Sequence, residues 1–509
     1  MTSNAPQSLE PNQVSRRHFV VGSSALAFAS AFAGSVTPRT AFARQASGRP
    51  SEAAWRQLKD TLSGPLLRAG AFDLGKFAKP YNLRYAAELP DAIAFCRSAE
   101  DVAAALTWCR ENALPLVVQS GGHSYAGYSM RKGGLMINLL LMRDAQASNG
   151  TVRIGGGARN QALYTLLEQN GLAVTHGRCA SVGAAGFLLG GGIGFNMRGH
   201  GLACDQLVAS EIVTADGKVR TLGPDSEPDL FWACRGGGGG NFGIHTSFTL
   251  QAFEASPVTV FDLTWQGTHP SPRLIFAKLM QALDAAPVEL GSRVSVKAPS
   301  PRERASGGDA SISLLGQLHA GSARTLDQIL ADVYALAMPR QSMIWSSVKY
   351  WDAQKLLEEV DCPTYFQERS AFLGANLDDA ALDQAFRYLH AWPGTSGGAD
   401  LRFFQTGGRI NDQASAATAF AHRNSRWIMD VGLNWGAEDP PFAVARSRDW
   451  QDRFFTAMRP FSTGGAYQNF ADPSLTDWRT AYYGDNLRRL QSIKAAVDPD
   501  RVFDFPQAL

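Results

Sequence analysis

Val118-Gln119-Ser120-Gly121-Gly122-His123-Ser124-Tyr125 places one imidazole in a turn made almost entirely of small residues. Ordering glycine is costly, so consecutive glycines usually mark a chain path that a Cβ would obstruct. The apolar residues from Leu114 to Val118 come directly before this turn. They predict a buried strand that runs into a phosphate-binding turn.

A second stretch, Gly177-Arg178-Cys179-Ala180-Ser181-Val182-Gly183, places one thiol in similar surroundings and runs on into the glycine-rich residues 186–194. The chain has 50 glycines among its 509 residues, which exceeds the usual share of roughly 7%. Many of them cluster at residues 121–134, 155–157, 183–201 and 236–243. This distribution predicts one region in which backbone amides hold a cofactor.

The two stretches resemble the flavin site of the berberine bridge enzyme-like oxidases, which belong to the vanillyl-alcohol oxidase flavoprotein superfamily. In that family a G-G-H motif attaches FAD through its histidine, and a C-x-x-V-G motif attaches it again through its cysteine. The resemblance therefore implies bicovalent FAD, bound through His123 and Cys179. A lone histidine or cysteine in such a turn would be an ordinary loop or core residue, and their co-occurrence in both motifs favours the flavin.

The resemblance continues through Pro228–Ala233 and through the C-terminal pattern from Tyr467 to Leu490. It implies an α+β fold, in which a two-part FAD-binding domain of the vanillyl-alcohol oxidase/PCMH type joins an antiparallel-sheet substrate domain covered by helices. The chain departs from the family at Ala184–Phe187, where relatives commonly carry Val-Gly-Gly-His. The cofactor-binding residues that the resemblance implies are Ser120, Gly121, Gly122, His123, Ser124, Cys179, Val182, Gly183, Gly186, Gly190, Gly191, Gly192, Gly194, Ile244 and Asn469.

Catalysis by such a flavoprotein needs a base that removes a proton from the substrate hydroxyl. The resemblance points to Tyr467, the tyrosine of the family's Y-x-N motif, although a phenol with its usual pKa of about 10 needs a neighbour that stabilises phenolate. Tyr125 matches a substrate-side tyrosine of the sugar-oxidising members, and Gln405 and Asp412 lie on the segment that supplies polar residues to the site in relatives. Whether Tyr467, Asp412 or Tyr125 is the base stays open. Val182 stands where valine accompanies oxygen access in the family, which favours an oxidase.

The first residues of the chain are predicted to be a twin-arginine signal peptide. Ser15-Arg16-Arg17-His18-Phe19-Val20 matches the twin-arginine pattern, a soft apolar run extends to about Gly34, and Ala41-Phe42-Ala43 supplies the small residues of a cleavage site before Arg44. The apolar run is too short and too rich in small residues for a membrane-spanning helix, which needs roughly 20 apolar residues. We therefore expect export by the twin-arginine machinery, a periplasmic or secreted location, and no membrane anchor after cleavage.

Composition argues against several other classes of protein. The formal net charge is +2 and no long basic run is present, so nothing favours nucleic acid as a partner. Six cysteines are too few for a disulfide scaffold, and their pairing stays open. The sequence has no C-x-x-C pair and no His/Cys cluster with zinc spacing, so no metal is expected.

Four segments are expected along the chain. They are the signal peptide (1–43), the FAD-binding PCMH-type domain (44–257), the substrate-binding domain (258–450) and a berberine-bridge-type segment that returns to the FAD domain (451–509). In the FAD domain, a strand–helix–strand unit (Ala92–Cys96, Glu100–Asn112, Leu116–Gln119) ends on the glycine turn. In the substrate domain, helices are predicted over Leu274–Ala285, Thr325–Ala337 and Asp378–Ala391, and strands over Ser311–Leu315, Leu401–Gln405 and Trp427–Trp435.

One glycine run also matches the pattern of a different cofactor site. Gly238–Gly243 matches G-x-G-x-x-G, a pattern that binds dinucleotides when it opens a helix. The residues from Ile244 to Leu250 are rich in β-formers and roughly alternating, so they predict a strand instead. We therefore expect no nicotinamide-binding fold.

The resemblance to the berberine bridge enzyme-like oxidases implies an FAD-dependent oxidase that takes a hydride from an alcohol group of a carbohydrate or secondary metabolite and reduces O2 to H2O2. The expected partners are a small-molecule or oligosaccharide substrate and molecular oxygen. Two enzymatic alternatives use the same flavin: oxidative cyclisation of an alkaloid- or polyketide-like metabolite, and dehydrogenation with another acceptor. A third alternative is a binding protein without turnover, whose tryptophans would serve as stacking platforms (Trp345, Trp351, Trp392, Trp427 and Trp435).

Overall fold

The computed structural model describes residues 49–267, 269–359 and 362–509. The predicted signal peptide and its cleavage site lie outside the described residues. The strands are β1 (Leu66–Arg68), β2 (Ala92–Phe95), β3 (Leu116–Gln119), β4 (Leu135–Asn138), β5 (Ala145–Ser148), β6 (Thr151–Gly155), β7 (Leu172–Ala173), β8 (Leu207–Val213), β9 (Val219–Leu222), β10 (Ile244–Gln251), β11 (Phe253–Glu254), β12 (Val258–Trp265), β13 (Leu290–Lys297), β14 (Ser311–His319), β15 (Gln341–Val348), β16 (Tyr365–Leu373), β17 (Gly398–Gln405) and β18 (Trp427–Trp435).

The α-helices are α1 (Glu52–Thr61), α2 (Leu74–Ala78), α3 (Ala99–Glu111), α4 (Asn160–Gln169), α5 (Ala184–Leu189), α6 (Met197–His200), α7 (Pro228–Ala233), α8 (Pro272–Asp284), α9 (Pro301–Ala305), α10 (Ala323–Ile329), α11 (Ala331–Leu336), α12 (Tyr350–Leu357), α13 (Asp379–His390), α14 (Pro441–Met458), α15 (Trp478–Tyr483) and α16 (Leu487–Val497). Short 3₁₀ helices occur at Leu83–Tyr85, Ala203–Gln206, Gly408–Ile410, Arg459–Phe461 and Gly484–Asn486.

The first sheet has the strand order β1-β2-β4-β3, and it places the glycine turn at the end of a parallel strand. Strands β2 and β3 both pair with β4 in parallel register, and α3 makes the crossover that such a connection requires. Ser98 caps α3, because its hydroxyl accepts a hydrogen bond from the Asp101 amide at 3.3 Å. Strand β3 ends at Gln119, so the turn that carries His123 leaves the carboxyl edge of the sheet. Strand β1, which pairs antiparallel with β2, is not predicted from the sequence.

The second sheet is antiparallel, with the order β5-β6-β10-β8-β9. Between β8 and β9 the Asp-Gly pair forms a tight turn, in which Gly217 has a φ of +77° and the Thr214 amide donates to the Lys218 carbonyl at 3.1 Å. The glycine run 238–243 leads into β10, which is a strand of 8 residues and not a helix. The strand predicted after this run is therefore confirmed, and the run does not open a helix as a dinucleotide fingerprint does.

The third large sheet has seven antiparallel strands in the order β15-β12-β14-β13-β17-β18-β16, beginning at Val258. Helices α8, α13 and α14 cover one of its faces. For example, the ring of Phe276 in α8 packs against Phe403 of β17 at a centroid distance of 4.9 Å. Side chains alternate along β17, so its other face presents Asp400 and Arg402 to the cavity described below. Mixed helices and antiparallel sheets confirm the predicted α+β class.

One predicted helix of this domain is divided. Where Thr325–Ala337 is expected to be continuous, α10 and α11 meet at Leu330, whose φ of −95° and ψ of 7° interrupt the helical backbone. The expected helix Asp378–Ala391 corresponds to α13, with Asp378 as its N-cap, because the aspartate side chain accepts a hydrogen bond from the Ala381 amide at 2.8 Å.

The C-terminal segment packs against the glycine-rich loop that precedes β10. The Lys494 ammonium group in α16 donates to the carbonyl oxygens of Asn241 and Phe503 at 2.7 and 2.9 Å, and it pairs with Asp498 at 2.6 Å. The Leu509 amide donates to the Asn241 side chain at 3.0 Å. Because Lys494 and Asp498 are both buried, this contact depends on complete pairing of their charges.

Candidate active site

A cavity of about 920 Å³ lies where the two N-terminal sheets, the seven-stranded sheet and the C-terminal segment meet. It is lined by the turn from Ser120 to Tyr125 and by Cys179 of the second glycine-rich stretch. Charged residues of the seven-stranded sheet also line it, and so do Tyr467 and Asn469 of the C-terminal segment. The fold therefore brings the two sequence motifs and the Y-x-N motif to one cavity.

The turns that carry the imidazole and the thiol are bonded to each other. The Nε2 atom of His123 lies 2.6 Å from the hydroxyl of Ser181, two residues after Cys179. The Tyr81 ring stacks on the His123 ring at a centroid distance of 4.1 Å, and the Tyr81 amide donates to the Gly122 carbonyl at 3.0 Å. Gly122 has a φ of +75°, a conformation in which glycine is unstrained. Together these contacts fix the orientation of the imidazole.

Cys179 contacts a partly buried carboxylate. Its Sγ atom donates to Oε2 of Glu359 at 3.5 Å, while Oε1 of Glu359 pairs with the guanidinium groups of Arg178 and Arg293. Burial opposes ionisation of Glu359, but the two guanidinium groups outweigh it and lower the pKa of this carboxyl to about 2. Burial, together with the charge of Arg293, lowers the pKa of Arg178 to about 10. At neutral pH the cluster therefore holds two guanidinium cations and one carboxylate.

The hydroxyl oxygen of Tyr467 accepts two hydrogen bonds. The Gly192 amide donates to it at 2.9 Å and the side-chain amide of Asn469 donates at 3.1 Å. Two donors on one phenol oxygen favour the phenolate form, which a base requires. Burial acts in the opposite direction and prevails, so the pKa of Tyr467 lies above its ordinary value. Tyr467 thus has neighbours that stabilise its phenolate, although they only partly offset the effect of its burial.

Charged side chains from adjacent strands meet on the cavity face of the seven-stranded sheet. The Nη2 atom of Arg402 lies 2.5 and 2.6 Å from the two carboxylate oxygens of Glu368, and its Nε lies 3.1 Å from Asp400. Gly432 makes room for them, since a Cβ there would lie 2.2 Å from the Arg402 guanidinium. Asp430 is fully buried 3.5 Å from Arg402, and burial raises the pKa of Asp430 well above its ordinary value, with Glu368 adding to the effect. This face offers carboxylate and guanidinium groups to a polar ligand.

Aromatic rings stand beside these charges. The Tyr125 ring stacks on Phe470 with a centroid distance of 5.1 Å and an interplanar angle of 2°, and it meets Phe366 edge-on at 4.9 Å. Phe404 packs against Phe470 at 5.6 Å, and all four rings line the cavity. Apolar walls with a few convergent polar groups are typical of small-molecule sites.

The lining fits a large polar cofactor such as FAD. A Cβ built at Gly186 would meet no atom within 4 Å, and one at Gly239 would meet only atoms at 3.8 and 4.0 Å, so both glycines leave room inside the cavity. Buried polar groups are nearly always hydrogen-bonded, and a bound ligand is the expected source of missing partners here. Six described side chains that line the cavity each have a buried polar atom without a hydrogen-bond partner. They are Tyr128, Ser129, Arg178, His245, Arg293 and Gln468.

Most of the predicted site residues line this cavity. The cofactor-binding candidates among them are Ser120, Gly121, Gly122, His123, Ser124, Cys179, Val182, Gly183, Gly186, Gly194, Ile244 and Asn469. Two of the four catalytic candidates, Tyr467 and Tyr125, line it as well.

Three predicted cofactor-binding glycines lie elsewhere. Gly190, Gly191 and Gly192 do not line the cavity, because residues 184–189 form helix α5 and the glycines after it serve packing. A Cβ at Gly190 would lie 2.0 Å from the Asn469 side chain, and one at Gly192 would lie 2.6 Å from Ala203. These three glycines therefore lie outside the cavity lining, and Gly190 lets the C-terminal Asn469 approach the end of α5.

Gln405 and Asp412 are also outside the cavity, so the structure does not support either as a catalytic residue. Alternation along β17 points Gln405 away from the face that carries Arg402, and its side chain bonds the Leu283 carbonyl and the Ser292 hydroxyl. The Asp412 side chain is 63% exposed and lies 3.8 Å from Arg409, beside a separate surface pocket. Neither side chain lines the cavity.

The five tryptophans considered as stacking platforms lie away from the cavity. No tryptophan is among the described residues that line the cavity, and Trp392 and Trp427 are fully buried in the hydrophobic core. The alternative of a binding protein that stacks sugars on tryptophan loses its structural basis.

Two features of the described residues bear on other chemistry. Over residues 49–267, 269–359 and 362–509, no group of His, Cys, Asp and Glu side chains could hold a metal ion. Over the same residues, no helix is long and apolar enough to cross a membrane. All six cysteines are described, and none forms a disulfide.

The charged residues that line the cavity are not among those predicted from the sequence. On β17 a signal was available, because Asp400 and Arg402 alternate with Leu401 and Phe403, and charges at every second position of an apolar strand mark a separate face. Glu359 has no such signal, because its contact with Cys179 depends on how distant segments pack.

Comparison with known proteins agrees with this site. Residues 90–223 match the FAD binding domain family, and residues 466–509 match the family described as berberine and berberine like. The chain is 31% identical over 440 residues to the uncharacterized FAD-linked oxidoreductase YgaK of Bacillus subtilis, covering 82% of this chain and 91% of that protein. It is 30% identical over 457 residues to glucooligosaccharide oxidase of Sarocladium strictum, covering 83% of this chain and 87% of that protein.

A solved structure shares the fold. It is the glucooligosaccharide oxidase of Acremonium strictum, described as carrying a 6-S-cysteinyl, 8α-N1-histidyl FAD. It superposes with a TM-score of 0.77 at 25% identity, covering 90% of this chain and 100% of that chain. The protein therefore belongs to the berberine bridge enzyme-like flavoproteins of the PCMH type. It is an FAD-linked oxidoreductase, and FAD is its cofactor.

Proposed function

We propose that the protein is an oxidase that converts an alcohol group of a carbohydrate to a carbonyl group and reduces molecular oxygen to hydrogen peroxide. The observation that carries the proposal is the position of the Tyr467 hydroxyl. It accepts hydrogen bonds from Gly192 and Asn469, and Tyr467 lines the same cavity as His123 and Cys179.

Each part of the site has a task in this reaction. FAD, when bound, accepts a hydride from the substrate carbon. Tyr467 takes the hydroxyl proton of the substrate, and the bonds from Gly192 and Asn469 stabilise the negative charge that the phenol oxygen must bear. Tyr125, held between Phe366 and Phe470, forms part of the wall against which the substrate is oriented.

The proposal includes attachment of FAD through both His123 and Cys179. Both residues line the cavity, and the contact between His123 and Ser181 holds their turns together. The likeness to an oxidase described with a 6-S-cysteinyl, 8α-N1-histidyl FAD supports the same two linkages in this chain. A doubly attached flavin needs no enclosing wall to retain it, which suits an open cleft and an oligomeric substrate.

The substrate class follows from the cavity face of the seven-stranded sheet. Carboxylate and guanidinium groups of Glu368, Asp400 and Arg402 offer acceptors and donors in fixed geometry, and hydroxyl groups can bond to either. The rings of Phe366 and Phe404 provide apolar surface for the C–H faces of a sugar. The relative named glucooligosaccharide oxidase supports an oligosaccharide, and Val182 at the cavity supports oxygen as the acceptor.

We further propose that the protein is exported by the twin-arginine route and acts in the periplasm or outside the cell. The support is the twin-arginine pattern at Arg16 and Arg17 with its cleavage site before Arg44. Replacing both arginines with lysine should leave the full-length protein in the cytoplasm, and unchanged export would contradict the route.

Turnover is tested by incubating the purified protein with mono- and oligosaccharides and with phenolic alcohols, and by measuring hydrogen peroxide. Peroxide formed with saccharides supports the proposal. If the protein reduces an artificial dye and forms no peroxide, it is a dehydrogenase and not an oxidase. The carbohydrate assignment would be contradicted if no saccharide were oxidised while a phenolic or alkaloid-like compound was oxidised or cyclised.

A further inference from the structure

We infer that Glu359 is a positioning residue for attachment of the flavin to Cys179, because one of its carboxylate oxygens holds the Cys179 sulphur while Arg178 and Arg293 hold the other. The inference rests on the proposed attachment of FAD at Cys179. It extends that proposal by assigning a role to charged residues that the hydride and proton transfers do not use.

The contact joins two distant parts of the chain. Glu359 follows helix α12 of the substrate domain, whereas Cys179 belongs to the FAD domain. The Glu359 amide also donates to the Arg178 carbonyl at 3.4 Å, so the carboxylate is anchored through its backbone beside the cysteine. The backbone of Cys179 is held separately, because its carbonyl accepts a bond from the Asn160 side chain at 3.0 Å. With both backbones fixed, the Glu359 carboxylate sets the direction of the Cys179 side chain.

The two arginines explain why the carboxylate stays in place. The side chains of Arg178 and Arg293 are only 11% and 16% exposed, and both converge on Oε1 of Glu359. Two guanidinium groups this close repel each other unless a carboxylate lies between them. Oε2 is thereby left to accept the bond from the Cys179 sulphur at 3.5 Å.

Attachment is an oxidation, and molecular oxygen supplies the oxidant. The S–H bond of Cys179 and one C–H bond of the flavin ring break, and one S–C bond forms between them. Two electrons and two protons leave in total, and they reduce one O2 to one H2O2. Glu359 remains a carboxylate throughout, since its strong pairing with arginine makes it a poor proton acceptor. Its task is to hold the sulphur where this bond can form.

The test compares three variants of the complete protein: Glu359→Gln, Glu359→Asp and Glu358→Gln. Glutamine keeps the size of the side chain and removes the charge, whereas aspartate keeps the charge and withdraws it from the sulphur. Glu358 is the exposed neighbour and serves as the matched control. Each protein is digested with trypsin at set times after aerobic purification, and mass spectrometry measures the flavin on the Cys179 and His123 peptides separately.

We expect flavin attachment at Cys179 to slow by about tenfold or more in both Glu359 variants, because a hydrogen bond to a charged group is lost. In the Glu359→Asp protein, attachment at His123 and the melting temperature should stay near the wild-type values. A merely structural role of Glu359 would lower both. Glu358→Gln should match the wild type. Normal attachment at Cys179 in both Glu359 variants would overturn this inference alone. An unmodified Cys179 peptide in the wild type would overturn both the inference and the bicovalent proposal.

Discussion

The backbones of Gly121 and Gly183 are in direct contact. A Cβ built at Gly121 would lie 2.1 Å from the Gly183 amide nitrogen, and one built at Gly183 would lie 2.3 Å from the Gly121 nitrogen. The turns that carry His123 and Cys179 therefore pack against each other without any side chain between them. The glycines of the two motifs set the distance between the imidazole and the thiol, which a doubly attached ligand requires.

Gly183→Ala is expected to lower both the stability of the fold and the content of covalent flavin. Its methyl group would overlap the backbone of Gly121, and overpacking of this kind costs about 1–3 kcal/mol in the free energy of unfolding. Denaturant unfolding measures the stability, and flavin absorbance after acid precipitation measures the covalent content. Gly75→Ala is the control, because a Cβ there meets nothing within 4 Å. If Gly183→Ala behaved like this control, the contact between the two turns would not matter.

Tyr467→Phe should lower kcat by about 10²- to 10⁴-fold, since the change removes the proposed proton acceptor and keeps the ring. Peroxide formation under saturating saccharide gives kcat, and the covalent flavin content should equal that of the wild type. Tyr125→Phe should have a smaller effect, mainly on KM, because its ring remains stacked on Phe470. A Tyr467→Phe enzyme with near-normal kcat would assign the base to another residue.

The pH dependence of turnover should follow the phenol of Tyr467. Burial raises the pKa of this phenol above its ordinary value, so at neutral pH most molecules carry the protonated, inactive form. Below that pKa the phenolate fraction grows about tenfold for each pH unit, and kcat/KM should rise with it. Removing a donor by Asn469→Leu should raise the pKa of Tyr467 further and lower kcat/KM at each pH below it. A kcat/KM that is constant from pH 7 to 9 in the wild type would contradict a tyrosine base.

Lys494→Met is expected to cost roughly 3–5 kcal/mol in the free energy of unfolding. The substitution leaves the Asp498 carboxylate buried without its ion pair, and it removes two bonds that tie α16 to the carbonyls of Asn241 and Phe503. Urea unfolding followed by circular dichroism measures the loss. Lys278→Met, on the exposed side of α8, should change stability by less than about 0.5 kcal/mol. Equal stabilities of the two variants would show that the C-terminal segment docks by other means.

Local motifs and hydrophobic periodicity predict much of this protein. The strand that ends at Gln119, the helix that follows Ser98 and the strand after the glycine run at 238–243 all form as their sequences indicate. Such features depend on neighbours within a few residues, where turn chemistry and alternation are decisive. His123, Cys179 and Tyr467 could be predicted from the family resemblance, because each lies within a short motif of that family.

The rest of the site depends on register and packing that no local pattern contains. Arg402 faces the cavity and Gln405 does not, because side chains alternate along a strand and positions three residues apart point to opposite faces. Asp412 lies just beyond that strand and turns to the surface beside Arg409. Glu359 reaches Cys179 only because the segment after α12 folds back onto the FAD domain. Such contacts join distant segments, so they become visible only in the folded chain.

The most direct test of this account is peptide mass spectrometry of the mature protein after tryptic digestion. The account predicts that the peptides bearing His123 and Cys179 are recovered joined through one flavin. Free, unmodified forms of both peptides, with FAD released into the acid supernatant, would contradict it.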